Sequence, residues 1–336
     1  MQYAYLLSLA LIPLALGCQS SALTAAKLYL KQEETQKAKD QLVLALETEP
    51  QNAEAHFLLG KIYSGEGDYA AMDASFARAV DLSPKFEDQI DQIRDYYWAR
   101  EYNAGVNVAQ GEEVEFDRAL IQFKNATLIR PERLEAWRNL AYVYYQLDQA
   151  DSAISTYERI VSVDSADASS LHSLGVLYMN QDRYQEAAGV LFQLVETDPR
   201  HLEGHINLAV TQVRTGDYKG AEDNYRKAID IDPQASNTYY NLGNLYWKQE
   251  DYTAALKAYE KTVELKPDDW DARYNLAITY LALQDMDGAL PLLEQLAEEM
   301  PDNVSVWKEL GRIYAHKGKI EESKRAYSLA ETLQAD

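Results

Sequence analysis

The chain has 336 residues, 47% hydrophobic and 26% charged, so it carries enough apolar residues for a packed core. With 32 Lys and Arg against 54 Asp and Glu, its formal net charge is -22. This charge argues against nucleic acid as a partner, because phosphate binding needs a basic surface. The single cysteine, Cys18, excludes an intramolecular disulfide framework and a multi-cysteine metal site.

Residues 1–17 have the pattern of a signal peptide that ends at the cysteine. The run from Ala4 to Gly17 carries no charge; it is too short to cross a bilayer but suits the apolar region of a secretory signal. The sequence Leu14-Ala15-Leu16-Gly17-Cys18 resembles a bacterial lipobox, which implies cleavage before Cys18 and a lipid on that cysteine. The alternative is a plain secretory signal or an uncleaved anchor, in which Cys18 is incidental.

The lipobox resemblance implies a location in the bacterial cell envelope, with the membrane as a partner through the lipid on Cys18. Gln19, rather than Asp, follows the cysteine, and this resembles the outer-membrane sorting pattern. We therefore expect an anchor at the periplasmic face of the outer membrane if two membranes are present. The sequence leaves the choice between the inner and the outer membrane open.

From residue 19 onward the sequence repeats about every 34 residues. The clearest copy runs from Ser236 to Asp269, where Leu242 with Tyr246 and Ala255 with Tyr259 stand at i, i+4 spacing. This spacing predicts two short amphipathic helices in each copy. Prolines, which cannot continue a helix, end the second helix of several copies; they are Pro84, Pro199, Pro233 and Pro267.

The repeated residues resemble those of the tetratricopeptide repeat family, whose pattern is Trp-x2-Leu-Gly-x2-Tyr followed by Ala, an aromatic residue and Pro. In the clearest copy the matching residues are Leu242, Gly243, Tyr246, Ala255, Tyr259 and Pro267. The resemblance covers residues 19–336 and implies an all-α fold, a right-handed superhelical solenoid of about nine helix-turn-helix repeats. We place these repeats at 19–52, 53–86, 87–133, 134–167, 168–201, 202–235, 236–269, 270–303 and 304–336.

The third repeat, 87–133, is longer than the others. Its apolar residues keep helical spacing well beyond one ordinary helix, which predicts a lengthened first helix over 86–109 and a short loop around 111–113. One interpretation is a projecting contact surface for a partner, formed by Tyr96, Trp98 and Tyr102. The other is an insertion that the solenoid tolerates at a solvent-facing turn.

Signatures of catalysis are missing from the sequence. It has no Gly-rich phosphate loop, no HExxH and no nucleophile elbow, so we expect a protein that is not an enzyme and has no cofactor, no metal and no small-molecule substrate. His201 and His205 are four residues apart and could share a zinc ion on one helix face. However, His205 occupies the position that holds Trp137 and Tyr239 in other repeats, which favours a packing role.

The face of the first helices opposite the core lines a concave groove in this family. At one position of that face asparagine recurs, although asparagine is unfavourable inside helices by roughly 0.5 kcal/mol relative to alanine; the residues are Asn139, Asn207, Asn241 and Asn275. The recurrence resembles the asparagine ladder of the O-linked N-acetylglucosamine transferases and implies binding of an extended peptide backbone. The alternative is that the amides only bridge adjacent repeats. Five neighbouring side chains complete the predicted groove; they are Tyr145, Tyr240, Asn244, Trp247 and Tyr274.

Together these patterns predict a non-catalytic protein-protein interaction scaffold. We expect it to be lipid-anchored in the bacterial cell envelope and to bind an extended peptide or a partner protein in the predicted groove. The alternative is an accessory or targeting subunit of an envelope enzyme or secretion machine encoded on a separate chain. The partner and the pathway are not specified by the residues.

Overall fold

The computed structural model describes residues 21–111 and 114–335, and in these ranges the chain forms α-helices and no β-strand. The helices are α1 (Ser21–Lys31), α2 (Thr35–Thr48), α3 (Ala53–Glu66), α4 (Tyr69–Leu82), α5 (Glu87–Gln110), α6 (Phe116–Ile129), α7 (Leu134–Gln146), α8 (Ala150–Val163), α9 (Ala168–Asn180), α10 (Tyr184–Thr197), α11 (Leu202–Thr215), α12 (Tyr218–Ile231), α13 (Ser236–Lys248), α14 (Tyr252–Leu265), α15 (Trp270–Ala282), α16 (Met286–Glu299), α17 (Val304–His316) and α18 (Ile320–Ala335). None of them is long and apolar enough to cross a membrane. The predicted signal peptide and Cys18 lie outside the described residues.

The chain divides into two compact units, an N-terminal unit up to Thr156 and a C-terminal unit from Tyr157. Within each unit the helices pack as consecutive pairs, and the second helix of most pairs also packs against the first helix of the next pair. A single pair could not bury its apolar face alone, so within each unit the pairs bury it against their neighbours. The prediction of an all-α helical solenoid is confirmed.

The turns between the paired helices depend on one residue with a positive φ. Glycine occupies this position at Gly67, Gly216 and Gly318, and five other repeats place a non-glycine residue there: Glu33, Asp148, Asp182, Glu250 and Gln284. After the turn, an Asp side chain often accepts a hydrogen bond from the backbone N–H three residues on, as Asp251 does from Ala254. This contact satisfies one of the free N–H groups at the start of the second helix.

In five repeats a recurrent hydrogen bond joins the new repeat to the proline that ends the preceding one. The donor is a side-chain N–H or O–H near the start of the first helix, and the acceptor is the proline carbonyl six residues earlier. The pairs are His56 with Pro50, Trp137 with Pro131, His205 with Pro199, Tyr239 with Pro233 and Trp307 with Pro301. His205 is 2% exposed, and its other ring nitrogen lies 2.8 Å from Asn224 Oδ1, so the predicted packing role is confirmed.

The long third repeat contains a single extended helix, α5, which confirms the predicted helix to within one residue at each end. Glu101, on α5, is buried and accepts hydrogen bonds from Tyr69 (2.7 Å), Arg100 (2.9 Å) and Asn125 (3.1 Å). Burial alone would raise the pKa of Glu101, but these hydrogen bonds outweigh it and hold the pKa below its usual value. The network ties the inserted helix to its neighbours α4 and α6. Of the predicted loop, residues 112–113 lie outside the described ranges.

Candidate functional site

In the C-terminal unit, α13 and α15 bring most of the predicted groove together. Tyr240, Asn244 and Trp247 follow each other at helical spacing along one side of α13. Asn275, on α15, donates a hydrogen bond from Nδ2 to the Tyr240 hydroxyl at 3.1 Å. Tyr274 precedes Asn275 on α15 and is half-buried. The first helices of two successive repeats therefore share this surface.

A small cavity of about 80 Å³ opens between these helices. Its lining contains two asparagines, one aliphatic residue and two aromatic residues: Asn244, Asn275, Ile278, Trp247 and Tyr259. Tyr259 is fully buried and donates a hydrogen bond from its hydroxyl to Asn244 Oδ1 at 2.7 Å. Burial raises the pKa of Tyr259 well above its usual value, so the cavity wall is uncharged at neutral pH.

The shape of the cavity depends on the absence of a side chain at Gly243. A Cβ atom there would lie 2.7 Å from the Tyr259 ring, closer than packed atoms allow. In the preceding repeat the equivalent pair is Ala209 and Tyr225, and the Tyr225 hydroxyl has no side-chain partner among the described residues. Gly243 thus gives the Tyr259 ring room to approach α13, and Asn244, where the preceding repeat has Val210, supplies the acceptor.

The recurring asparagines fall into two groups. Three of them contact a polar aromatic side chain on the preceding first helix: Asn139 donates to Tyr102 (3.0 Å), Asn207 Nδ2 lies 3.2 Å from His172 Nε2, and Asn275 donates to Tyr240 (3.1 Å). The side chain of Asn241 has no hydrogen-bond partner in the part of the chain that the structure describes. Ile206 stands 35 residues before it, where the other asparagines find a tyrosine or histidine.

This division has a direct consequence for binding. In the three bonded asparagines one amide hydrogen is already used to bridge repeats, as the second interpretation of the ladder predicted. Asn241 is half-buried and keeps both amide hydrogens and its carbonyl oxygen available. Its neighbours on α13 are Tyr240 and, one turn further on, Asn244. Asn244 lines the cavity, so Asn241 stands one helical turn from a cavity residue on the same helix.

The predicted groove residues of the N-terminal unit, Asn139 and Tyr145, lie on α7. Tyr145 is 46% exposed. Tyr102, which accepts from Asn139, stacks on Trp98 with ring centroids 4.8 Å apart, and the Arg133 guanidinium lies 4.3 Å from the Trp98 ring centre.

The surface predicted on the inserted helix is divided in the structure. Trp98 and Tyr102 are half-buried in the stack with Arg133, whereas Tyr96 is 65% exposed. The Tyr96 ring packs edge-on against its neighbour Tyr97, with ring centroids 5.1 Å apart. Only Tyr96 of the three aromatic residues is available for large-area contact with a partner.

Family comparisons agree with the repeat pattern. Models described as tetratricopeptide repeat or TPR repeat match residues 53–86, 114–170, 213–250, 240–303 and 280–335, which together make up well over half of the chain. The chain belongs to the tetratricopeptide repeat family. A model described as anaphase-promoting complex, cyclosome, subunit 3 also matches residues 146–228.

Several solved structures resemble this tetratricopeptide repeat chain. The pilF protein of Pseudomonas aeruginosa is 19% identical with a TM-score of 0.50, over 63% of this chain and 96% of that one. MamA is 23% identical with a TM-score of 0.48, over 50% of this chain and 92% of that one. YrrB, described as a TPR protein with an unusual peptide-binding site, is 19% identical with a TM-score of 0.49, over 59% and 97%. The likeness to pilF shows the fold alone. No curated protein matches significantly.

The sequence prediction missed two members of the tetratricopeptide repeat cavity, Tyr259 and Ile278. Tyr259 was identified only as a core aromatic residue of its repeat. The missing signal was the combination of a glycine at position 243 with an asparagine at 244, because only this pair gives the Tyr259 hydroxyl room and an acceptor. Among the described residues, no group of three His, Cys, Asp or Glu side chains could hold a metal ion.

Proposed function

We propose that this tetratricopeptide repeat protein is a non-catalytic scaffold that binds an extended peptide or a partner protein on the face formed by α13 and α15. One observation carries the proposal: Asn241, whose amide makes no hydrogen bond within the described residues, stands on α13 one turn before Asn244, which lines a cavity walled by Trp247. The amide can donate to and accept from a peptide backbone, while the cavity takes one side chain of that peptide. Hydrogen bonding then fixes the direction of the peptide, and the cavity selects its sequence.

The size and chemistry of the cavity favour a small apolar side chain. About 80 Å³ corresponds to roughly two to three water molecules at about 30 Å³ each, the space of a branched aliphatic group. Trp247 and Ile278 provide the apolar contact, and no lining side chain is charged. Burying a valine- or leucine-sized group there contributes about 1.5–3 kcal/mol. Such a contact would be one anchor of a longer interface.

A photo-crosslinking experiment tests this proposal. A crosslinking amino acid at position 244 should capture a specific partner, and the same amino acid at the exposed position 227 on α12 should not. Replacing Trp247→Ala should reduce capture about tenfold, because a buried aromatic anchor is worth about 1–2 kcal/mol or more. Trp270→Ala removes another partly exposed tryptophan outside the cavity and is the matched control.

The outcomes of this experiment separate a binding face from an ordinary surface. Equal capture from positions 244 and 227, or equal loss with Trp247→Ala and Trp270→Ala, would contradict the proposal. Asn241→Ala should also weaken capture without loss of stability, since its amide makes no hydrogen bond within the described residues. A variant that changes all four asparagines is less informative, because Asn139, Asn207 and Asn275 also bridge repeats.

The proposed setting is the bacterial cell envelope, with a lipid on Cys18. The lipobox-like residues 14–18 and the uncharged run before them support it. Metabolic labelling with an alkyne fatty acid should mark the wild-type protein and place it in the membrane fraction. Cys18→Ser should lose the label and leave the uncleaved precursor. Labelling that persists in Cys18→Ser, or a wild type without label, would argue against lipid anchoring.

A further inference from the structure

Two histidine rings face each other between α9 and α11, outside the surface proposed for peptide binding. The ring centroids of His172, on α9, and His201, the residue before α11, lie 5.2 Å apart, with the ring planes tilted by 37°. Both side chains are half-buried. We name this pair the histidine bridge, because each ring also makes a polar contact with α11.

Both rings of the histidine bridge act as hydrogen-bond acceptors, a role for which a ring nitrogen must be unprotonated. His201 Nδ1 accepts from the backbone N–H of Gly204 at 2.9 Å and thereby caps the start of α11. The amide nitrogen of Asn207 lies 3.2 Å from His172 Nε2. A neutral His172 ring accepts an N–H from that amide, whereas the imidazolium has no lone pair with which to accept. Neutral rings therefore cap α11 and join it to α9.

Other repeats fill both positions with side chains that do not titrate near neutral pH. Four other first helices are capped by asparagine or aspartate; these caps are Asn52, Asp167, Asp269 and Asn303. At the position of His172, the hydroxyls of Tyr102 and Tyr240 accept from the asparagine of the next repeat. Histidine is the side chain that changes its charge between pH 5 and 8. The fold thus accepts non-titrating residues at both positions, and this junction has a histidine at each.

The backbone at this junction has room for the larger cap. The residue three positions after His201 is Gly204, where a Cβ atom would lie 3.2 Å from His201 Nδ1 and 2.9 Å from Leu194 Cδ2. Repeats that are capped by asparagine or aspartate have a larger residue at the equivalent position; these residues are Ala55, Ser170, Ala272 and Val306. The glycine therefore leaves space for both the imidazole ring and Leu194.

The surroundings of the bridge oppose its protonation. Burial and the neighbouring His201 lower the pKa of His172, and Glu203, at the start of α11, raises it by less. Helix α9 carries no charged side chain besides His172. On α10, α11 and the turn between them, the other charged side chains and the other histidine are exposed or hydrogen-bonded elsewhere; they are Glu186, Glu196, Asp198, Arg200, His205 and Arg214. Two protonated rings would therefore repel each other with only Glu203 to offset the charge on His172.

We infer that the histidine bridge makes the junction of α9 and α11 acid-sensitive: neutral rings hold the two helices together, and protonated rings release the start of α11. Protonation removes the cap of α11, takes away the acceptor for Asn207 and places two positive charges about 5.2 Å apart. Because α11 also packs against α12 and α13, the change occurs beside the helix that carries Asn241. The inference is independent of peptide binding at α13 and α15, since the bridge belongs to the two preceding repeats.

Hydrogen exchange of the full chain, followed by mass spectrometry at pH 7.5 and 5.5, tests this inference. Exchange times are scaled for the intrinsic pH dependence of amide exchange, so that the comparison reports protection alone. In the wild type, peptides from α9 and α11 should lose protection at least about fivefold at pH 5.5, the factor expected when a helix loses its cap. Peptides from α17, which Asn303 caps, should change less than about twofold. An equal loss along the whole chain, or no loss in α9 and α11, would overturn the inference.

The double variant His172→Tyr, His201→Asn gives each position the residue that other repeats use there, so it should fold and keep its protection at pH 5.5. The matched control is His56→Tyr, His316→Asn, which removes two histidines outside the bridge; Tyr239 is the equivalent of His56 and makes the same contact with a proline carbonyl. The control should lose protection in α9 and α11 as the wild type does. A bridge variant as acid-sensitive as this control would refute the inference. His201→Asn alone restores the cap and should abolish the response at the start of α11; an undiminished response there would equally contradict the role of the bridge.

Discussion

Gly243→Ala is the substitution that most directly tests how the candidate cavity is built. The new Cβ would lie 2.7 Å from the Tyr259 ring, which is 1% exposed and cannot move into solvent. Overpacking of this kind costs about 1–3 kcal/mol. Displacing the ring also breaks the hydrogen bond to Asn244, which contributes about 1 kcal/mol. Alanine gains about 1 kcal/mol over glycine inside a helix, so the expected net loss of stability is about 1–3 kcal/mol.

Urea unfolding followed by circular dichroism at 222 nm measures this effect against two further variants. At Gly189, on α10, an added Cβ would have no packing neighbour within 4 Å. Gly189→Ala should therefore stabilise the protein by about 0.5–1 kcal/mol. Gly243→Ala combined with Tyr259→Leu reproduces the Ala277 and Leu293 pair of the next repeat and should recover much of the loss. If Gly243→Ala stabilised the protein as Gly189→Ala does, the steric argument would be refuted.

Three further predictions concern hydrogen bonds and titration. Asn275→Ala should lower the free energy of urea unfolding by about 1 kcal/mol, because it removes the hydrogen bond to the Tyr240 hydroxyl on the preceding first helix. Asn241→Ala should leave the stability unchanged or raise it slightly. Equal losses of stability would contradict the division of the asparagines into two groups. Burial and a neighbouring histidine lower the pKa of His172, so the folded state binds fewer protons at this residue than the unfolded chain does. The stability of the protein should therefore fall as the pH drops below about 6.5. In thermal melts, His172→Gln should flatten that pH dependence. Burial and the hydrogen bond to Glu294 raise the pKa of Tyr314 to about 12. The stability that this shift contributes is therefore present below about pH 10 and is lost as the pH rises through about 12. Tyr314→Phe should reduce that alkaline loss, and an unchanged pH profile would contradict this prediction.

The helices could be predicted from the sequence because the interactions that define them are local. The i, i+4 pairs, the asparagine and aspartate caps and the terminal prolines all act within one repeat, and each recurs about every 34 residues. Even the unusual α5 followed from spacing alone. The same regularity explains why His205 could be assigned to packing, since other repeats place a hydrogen-bonding aromatic residue at that position.

The contacts between repeats were harder to predict, because they join residues about 35 positions apart. Whether an asparagine is bonded depends on a residue of the preceding first helix: a tyrosine or histidine accepts the contact, whereas Ile206 leaves Asn241 free. From the recurrence alone, all four asparagines are expected to have the same role. In the structure, three of them bridge repeats and Asn241 does not. The sequence contains both residues of each pair but gives no rule that joins them until the helix packing is known.

The candidate groove departs from the repeat average at a position where the fold accepts alternatives. Among the described residues the Asn241 side chain lacks the hydrogen-bond partner that its equivalents have, because Ile206 stands where they meet a tyrosine or a histidine. A residue that packing requires should be similar in every repeat, because each repeat faces the same neighbours. A polar residue that differs in one repeat, without a packing reason, is therefore free to serve a ligand. For this chain the departure falls on α13, the helix that also carries Asn244 and Trp247 of the cavity.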